Sequence, residues 1–145
     1  MILLDTSGLL AALDASEVHH RAAAASLKEA GGARILSPFV LAELDYLLAR
    51  HVSARVARSF LAEVADGAYE LAPFDADDVS RATEVLDRYS DLGLGLADAS
   101  IVVLAGRHQT ADILTLDERH FRAIVGPRDR PFRLLPADDA GSGSL

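Results

Sequence analysis

The chain has 145 residues, 50% of them hydrophobic and 25% charged, the size and mixture of one globular domain. A chain of this length buries about 70% of its unfolded surface and needs no disulfide or structural metal to hold a core. It contains no cysteine, which excludes disulfide frameworks, zinc-thiolate sites, iron-sulfur clusters and thiol nucleophiles, and suits a reducing cytoplasm. With 22 acids against 14 bases the net charge is -8, so attraction to a polyanion by overall charge is excluded. A nucleic-acid substrate would require a bound divalent cation, a local basic patch or a partner protein.

Met1 to Asp5 reads as a short buried strand, because an apolar run stops abruptly at Asp-Thr-Ser-Gly. A helix follows from Leu9 to Leu13, and a second, Ala-rich, from Glu17 to Ala30, closed by Gly31-Gly32. Arg34 to Leu36 is the next strand. Ser37-Pro38 then places a capping hydroxyl and a first-turn proline ahead of a helix to about His51. Ser53 to Ala65 is helical, Tyr69 to Leu71 a brief strand, and Asp75 to Tyr89 an amphipathic helix with Val79, Ala82, Val85 and Leu86 at helical spacing.

After a loop at Asp91-Leu-Gly-Leu-Gly, Leu96 to Arg107 is a helix apolar on nearly every side, the pattern of a central element. Ile113 to Leu116 is a strand, Glu118 to Val125 a short helix, and Phe132 to Leu135 a last strand. Short apolar strands separated by helices predict an α/β sandwich on a mainly parallel sheet, occupying residues 1 to 135. Residues 136 to 145 have linker composition and are expected to be disordered. No apolar run nears the roughly 20 residues of a membrane helix, and no basic segment precedes the first strand. Neither a membrane span nor a signal peptide is expected.

Four acids stand where a core-builder would not want them. Asp5 and Asp117 each end a strand, the edge at which open parallel sheets place ligands. Glu43 lies one helical turn from Phe39 and Leu47, so its carboxylate is expected to project from the apolar stripe. Asp98 opens the most hydrophobic helix, where the dipole favours a carboxylate. By position Asp5, Asp98 and Asp117 also suit helix caps, and Glu43 could lie at the stripe margin. Two ionised carboxylates 4 Å apart repel by about 4 kcal/mol at an effective dielectric of 20, so a cluster of them calls for a cation. Oxygen donors without His or Cys favour magnesium or manganese, and such ions suit phosphoryl chemistry.

The local strings Leu4-Asp5-Thr6-Ser7, Ala42-Glu43-Leu44, Leu96-Ala97-Asp98-Ala99 and Leu114-Thr115-Leu116-Asp117-Glu118-Arg119-His120-Phe121 resemble those of a PIN-domain nuclease, and more narrowly a VapC toxin of a bacterial type II toxin-antitoxin pair. The likeness runs from Met1 to about Leu135. It implies a PIN-like three-layer sandwich and an endoribonuclease dependent on Mg2+ or Mn2+. Asp5 and Asp98 would be principal metal ligands, with Glu43 and Asp117 completing the pocket directly or through water. Thr6, Ser7 and Thr115 match hydroxyls beside those acids that orient water or touch phosphate, or else serve as caps, and Arg119 adjoins them as a further substrate contact.

The same likeness implies hydrolysis by water, leaving a 5′-phosphate and a 3′-hydroxyl, a structured tRNA or rRNA target, and inhibition of translation. It implies a VapB antitoxin as partner, a homodimer within the toxin-antitoxin complex, and a cytoplasmic setting. The helix faces from Phe39 to Leu48 and Val56 to Val64 would offer the groove and the dimer contact, or simply pack in the core. Between Arg119 and Arg133 five Arg and His120 face one acid, Asp129, which makes this stretch the candidate RNA-facing patch or a solvated surface. Arg107 and His108 read as partners of a helix dipole, and His19, His20 and His51 fit no catalytic pattern.

Two α/β rivals fail on residues. A receiver domain needs adjacent acids after its first strand and a late lysine, whereas Asp5 precedes Thr6-Ser7 and the chain's one lysine is Lys28. A haloacid-dehalogenase-type phosphatase needs Asp-x-Asp, and position 7 is serine. An RNA-processing PIN nuclease without an antitoxin, and a PIN-like binding module with little turnover, remain as alternatives.

Overall fold

The computed structural model describes residues 1 to 139. Its elements are β1 (Ile2–Leu4), α1 (Thr6–Leu13), α2 (His20–Glu29), β2 (Arg34–Leu36), α3 (Pro38–His51), α4 (Ala54–Ala65), β3 (Glu70–Leu71), α5 (Ala76–Arg88), α6 (Leu96–His108), β4 (Asp112–Leu114), α7 (Glu118–Phe121) and β5 (Arg133–Leu135). The five strands form one sheet in the order β3-β2-β1-β4-β5, every pair parallel. The expected mainly parallel sheet is therefore wholly parallel among the described residues.

Ile2, Leu3 and Leu4 are all buried, and successive strand side chains point to opposite faces, so both faces of the sheet are covered. The helices pack in sequential pairs, α1 with α2, α3 with α4 and α5 with α6, while α3 also touches α1 and α6. Gly8 lets α1 lie close on the sheet: a Cβ there would stand 2.4 Å from the Leu114 carbonyl oxygen. No helix among the described residues is long and apolar enough to cross a membrane.

Chain order fixes where a ligand can enter. The strands proceed outward from β1 through β2 to β3, and the chain then returns to place β4 on the other side of β1. The C-terminal ends of β1 and β4 thus flank the topological switch point, where connections leave in opposite directions and open a crevice.

Some boundaries move for local reasons. The second helix begins at His20 and not at Glu17, because a turn intervenes in which the Glu17 amide bonds Asp14 and the His20 amide bonds Glu17. It ends on Ala30 in an extended conformation, so the expected glycine cap is absent and Gly32 turns the chain one step later at φ 77. The last helix stops at Phe121, well short of Val125, whose amide is taken by the Tyr89 hydroxyl at 3.1 Å. At the C-terminus, Pro136 to Asp138 form a turn in which Asp138 accepts from the Leu134 amide and pairs with Arg122. The expected disordered tail thus begins with residues that are held; its remainder, 140 to 145, lies outside the described residues.

Candidate active site

Three of the four predicted acids come to the switch point on different elements: Asp5 follows β1, Asp98 lies in the first turn of α6, and Asp117 leads from β4 into α7. Asp5 is only 5% exposed, and although it precedes α1 its side chain makes no capping bond to the amides of the next turn. Its Oδ2 instead accepts hydrogen bonds from Thr115 Oγ1 at 2.6 Å and Ser7 Oγ at 2.9 Å. Those hydroxyls accept in turn from the β4–α7 backbone: the Leu116 amide donates to Ser7 and the Asp117 amide to Thr115, each at 2.9 Å. With their hydrogens on Asp5 and a lone pair of each on an amide, Ser7 and Thr115 tie the end of β1 to the end of β4.

Asp98 is half-buried and accepts the Gly95 amide at 3.1 Å, a bond from the third helical position back to the residue before the helix. Its helix is anchored to the start of α3 by a buried relay: the Phe39 amide donates to Ser37, Ser37 to Ser100 at 2.7 Å, and Ser100 to the Ala97 carbonyl at 2.6 Å. Asp117 accepts the His120 amide at 3.1 Å and faces the His120 imidazole at 2.7 Å.

Glu43 does not project from the buried stripe but lies at its margin. The buried stripe of α3 is Val40, Leu44 and Leu48, four residues apart, and Glu43 is exposed beside it, between the half-buried Phe39 and Leu47. Its carboxylate stays in water and needs no partner, yet its charge is felt at Asp98.

The electrostatics join the four. Burial pushes Asp5 from 3.8 up to about 6, against the pull of Thr115 and Ser7, and the Asp98 charge pushes it further. Asp98 is also raised, chiefly by burial, with Asp117 and Glu43 adding repulsion and His120 and the Gly95 amide opposing it. Negative charge is thus concentrated at one sheet edge, and the groups that act most strongly on Asp5 and Asp98 include no Arg or Lys.

Among the described residues no three acidic or histidine side chains converge on one point tightly enough to hold an ion together. Asp5, Asp98 and Asp117 are each turned onto their own local donors. In chemistry the donors suit a hard divalent cation: all are oxygens, their charges repel, and the buried Thr6 hydroxyl beside Asp5 has no hydrogen-bond partner. The residues present fit such an ion.

Of the other expected contacts, Thr6 and Thr115 are buried while Arg119 is exposed. The guanidiniums of Arg119 and Arg130 make no hydrogen bond or ion pair among the described residues, whereas Arg122 is held by Glu118 and Asp138, Arg128 by Gln109 and Arg133 by Asp112. Two guanidiniums of the five therefore remain free of partners. Arg107 does more than face a helix dipole: it binds Asp78 at 2.5 Å and the Pro73 carbonyl at 2.7 Å. Sequence reasoning counted His120 only as part of the basic stretch and missed its bond to Asp117; the i, i+3 spacing across a helix start was the available signal.

Comparison with known proteins agrees with this architecture. The chain is 44% identical over 135 residues to ribonuclease VapC26 of Mycobacterium tuberculosis (strain ATCC 25618 / H37Rv), covering 93% of this chain and all of that protein. Its fold is similar to Mycobacterium tuberculosis VapC20, described as a sarcin-ricin loop cleaving toxin, with a TM-score of 0.80 and 24% identity over 90% of this chain and 100% of that one. It is also similar to a chain of a toxin-antitoxin complex from Klebsiella pneumoniae, with a TM-score of 0.66 and 19% identity over 86% of this chain and 92% of that one. The PIN domain family model matches residues 2–126, and with acids in place at both strand ends and on α6, this chain belongs to the PIN domain family.

Proposed function

We propose that this chain is a metal-dependent endoribonuclease of the VapC kind, the toxin of a toxin-antitoxin pair, acting in the cytoplasm and held in check by a VapB-type antitoxin. The observation that carries the reading is the unneutralised acid centre at the switch point, in a chain 44% identical to a ribonuclease. Asp5 and Asp98 are the principal ligands for Mg2+ or Mn2+, with Asp117 and Glu43 completing the centre. The ion supplies activation of water and relief of charge on the scissile phosphate.

The chain's own residues do the positioning. Thr115 and Ser7 fix the Asp5 carboxylate, His120 fixes Asp117, and the Ser37–Ser100 relay fixes the helix start that carries Asp98. Hydrolysis by water needs no 2′-hydroxyl, so selection of RNA rests on contacts outside the acid centre, with Arg119 and Arg130 as free cations. On α3 and α4, Tyr46 and Leu61 remain exposed beside the packed Val40, Leu44 and Phe60, and this surface is where a homodimer or antitoxin contact is expected.

The test is cleavage of total cellular RNA by the purified chain in Mg2+, Mn2+ or EDTA, beside Asp5→Ala and Asp98→Ala, with 5′ ends mapped by sequencing. Metal-dependent cuts at one or a few sites in tRNA or rRNA, lost in both variants, are expected. Equal cutting by folded variants and wild type overturns the assignment.

A further inference from the structure

The acid centre treats every phosphodiester alike, so discrimination has to come from a neighbouring surface. A cavity adjoins it. A space of about 170 Å³ is lined by His19, Thr115, Leu116, Glu118, Pro136 and Ala137. Thr115 is common to both places, since its hydroxyl holds Asp5, and Leu116 and Glu118 flank Asp117. A larger cavity of about 600 Å³ between α5 and α6 reaches Val103, Gly106 and Arg107. The α6 residues of that lining run from Val102 to Arg107, beyond Asp98, and the cavity shares no residue with the acids or with the groups that bond them.

The walls of the smaller cavity have the chemistry of a base slot. Leu116, Pro136 and Ala137 give apolar surface, and His19 gives a planar ring that makes no hydrogen bond or ion pair among the described residues. Single-stranded RNA is read by splaying bases onto such surfaces and by hydrogen bonds to their edges. Glu118, also in the lining, uses Oε1 for both Arg122 bonds, at 2.9 and 2.6 Å. Its Oε2 has no partner among the described residues and is available only as an acceptor. A carboxylate acceptor pairs with an amino group and rejects a carbonyl edge.

We infer that the cavity formed by His19, Thr115, Leu116, Glu118, Pro136 and Ala137 is a nucleobase subsite that takes an unstacked base next to the scissile phosphate. It favours a base bearing an exocyclic amine and disfavours uracil. The inference rests on the ribonuclease reading of the adjacent acids and adds the part of the substrate that this reading leaves unassigned.

The full-length chain is titrated into hexaribonucleotides carrying 2-aminopurine at each position in turn, with Ca2+ as an ion that supports binding without efficient cutting. A saturable fluorescence change at one position is expected, with half-saturation raised about tenfold by His19→Ala and by Ala137→Phe. Both residues are exposed, so the variants fold, as a thermal melt verifies. Unchanged half-saturation in both folded variants, or no responsive position, overturns the subsite. A second arm uses Mg2+ and hexamers randomised at the responsive position: wild type cuts after amino-bearing bases faster than after uracil, and Glu118→Gln narrows that ratio. An unchanged ratio removes Glu118 from base selection and overturns the stated preference. If wild type cuts no RNA, the nuclease reading falls, while the fluorescence arm still decides whether the cavity takes a base.

Discussion

Asp5 and Asp78 are buried to nearly the same degree, 5% and 6% exposed, and their surroundings drive them in opposite directions. Asp78 accepts from Arg107 at 2.5 Å, from Arg81 at 3.3 Å and from the Asp75 amide, and it lies below the ordinary carboxylate range chiefly because of the Arg107 bond. Asp5 has two hydroxyl donors, no cation, and the Asp98 charge nearby, and burial lifts it to about 6. One acid completes a helix start and locks α5 to α6; the other is held ionisable at a crevice. Burial alone marks neither role. What separates them is whether the protein supplies the counter-charge.

The largest expected effect follows from removing the charge at Asp5. Asp5→Asn keeps an oxygen for Thr115 and Ser7 but deletes the negative charge, and cleavage should fall by about two to three orders of magnitude, the scale seen when a main electrostatic stabiliser is lost. Metal-free stability should move the other way. Because the folded value lies above 3.8, ionisation opposes folding: wild type loses stability as pH rises from about 4 to above 6, by up to about 3 kcal/mol. In EDTA at pH 7.5, urea melts should show Asp5→Asn more stable than wild type, with the two converging below pH 4. A less stable variant at pH 7.5 would mean that Asp5 is paired after all, and the comparison would break.

Asp78→Ala should do the reverse. Arg107 and Arg81 lose their acceptor and the Asp75 amide its cap, so Tm should drop by several degrees while cleavage per folded molecule persists. The folded value of Asp78 is depressed, so its stabilisation is full above about 3.8 and disappears as pH falls through the lowered value. The gap in Tm between variant and wild type should therefore be constant from pH 5 to 8 and close in acid. Thermal melts across that range read it directly, and a gap that widens in acid would contradict the pairing.

This pair also shows what the sequence could reveal. Strands such as Met1 to Asp5 were legible because a fully buried parallel strand is a continuous apolar run with an abrupt polar stop, and Ser37-Pro38 because a cap and a first-turn proline are local signals. Asp5 and Asp98 stood out for interrupting apolar surroundings. Of the two placements open to Glu43 the helix takes the stripe margin: Phe39, Glu43 and Leu47 share the periodicity of a buried stripe, yet Val40, Leu44 and Leu48 turn inward, a rotation of one residue that periodicity does not resolve. The Asp78–Arg107 lock spans 29 positions and the Asp5–Thr115 bond 110, and neither separation leaves a mark on the chain.

The smallest effects should come from the hydroxyls, and they test why Asp5 is no higher than about 6. Thr115 is the strongest lowering influence on Asp5 and Ser7 the next, in keeping with bonds of 2.6 and 2.9 Å. Thr115→Val preserves shape but removes that donor and strands the Asp117 amide, a loss of about 1–3 kcal/mol for a buried group left unpaired. The acidic limb of the cleavage pH profile should then shift to higher pH, since Asp5 is harder to ionise. Ser7→Ala should shift it in the same direction by less, because Ser7 is only partly buried and water can replace its hydroxyl at the Leu116 amide. The order of the two shifts is the discriminating result. If Ser7→Ala moves the limb as far as Thr115→Val, the hydroxyls act as one unit, with one of them donating its hydrogen to the other across their 3.2 Å contact in place of Asp5.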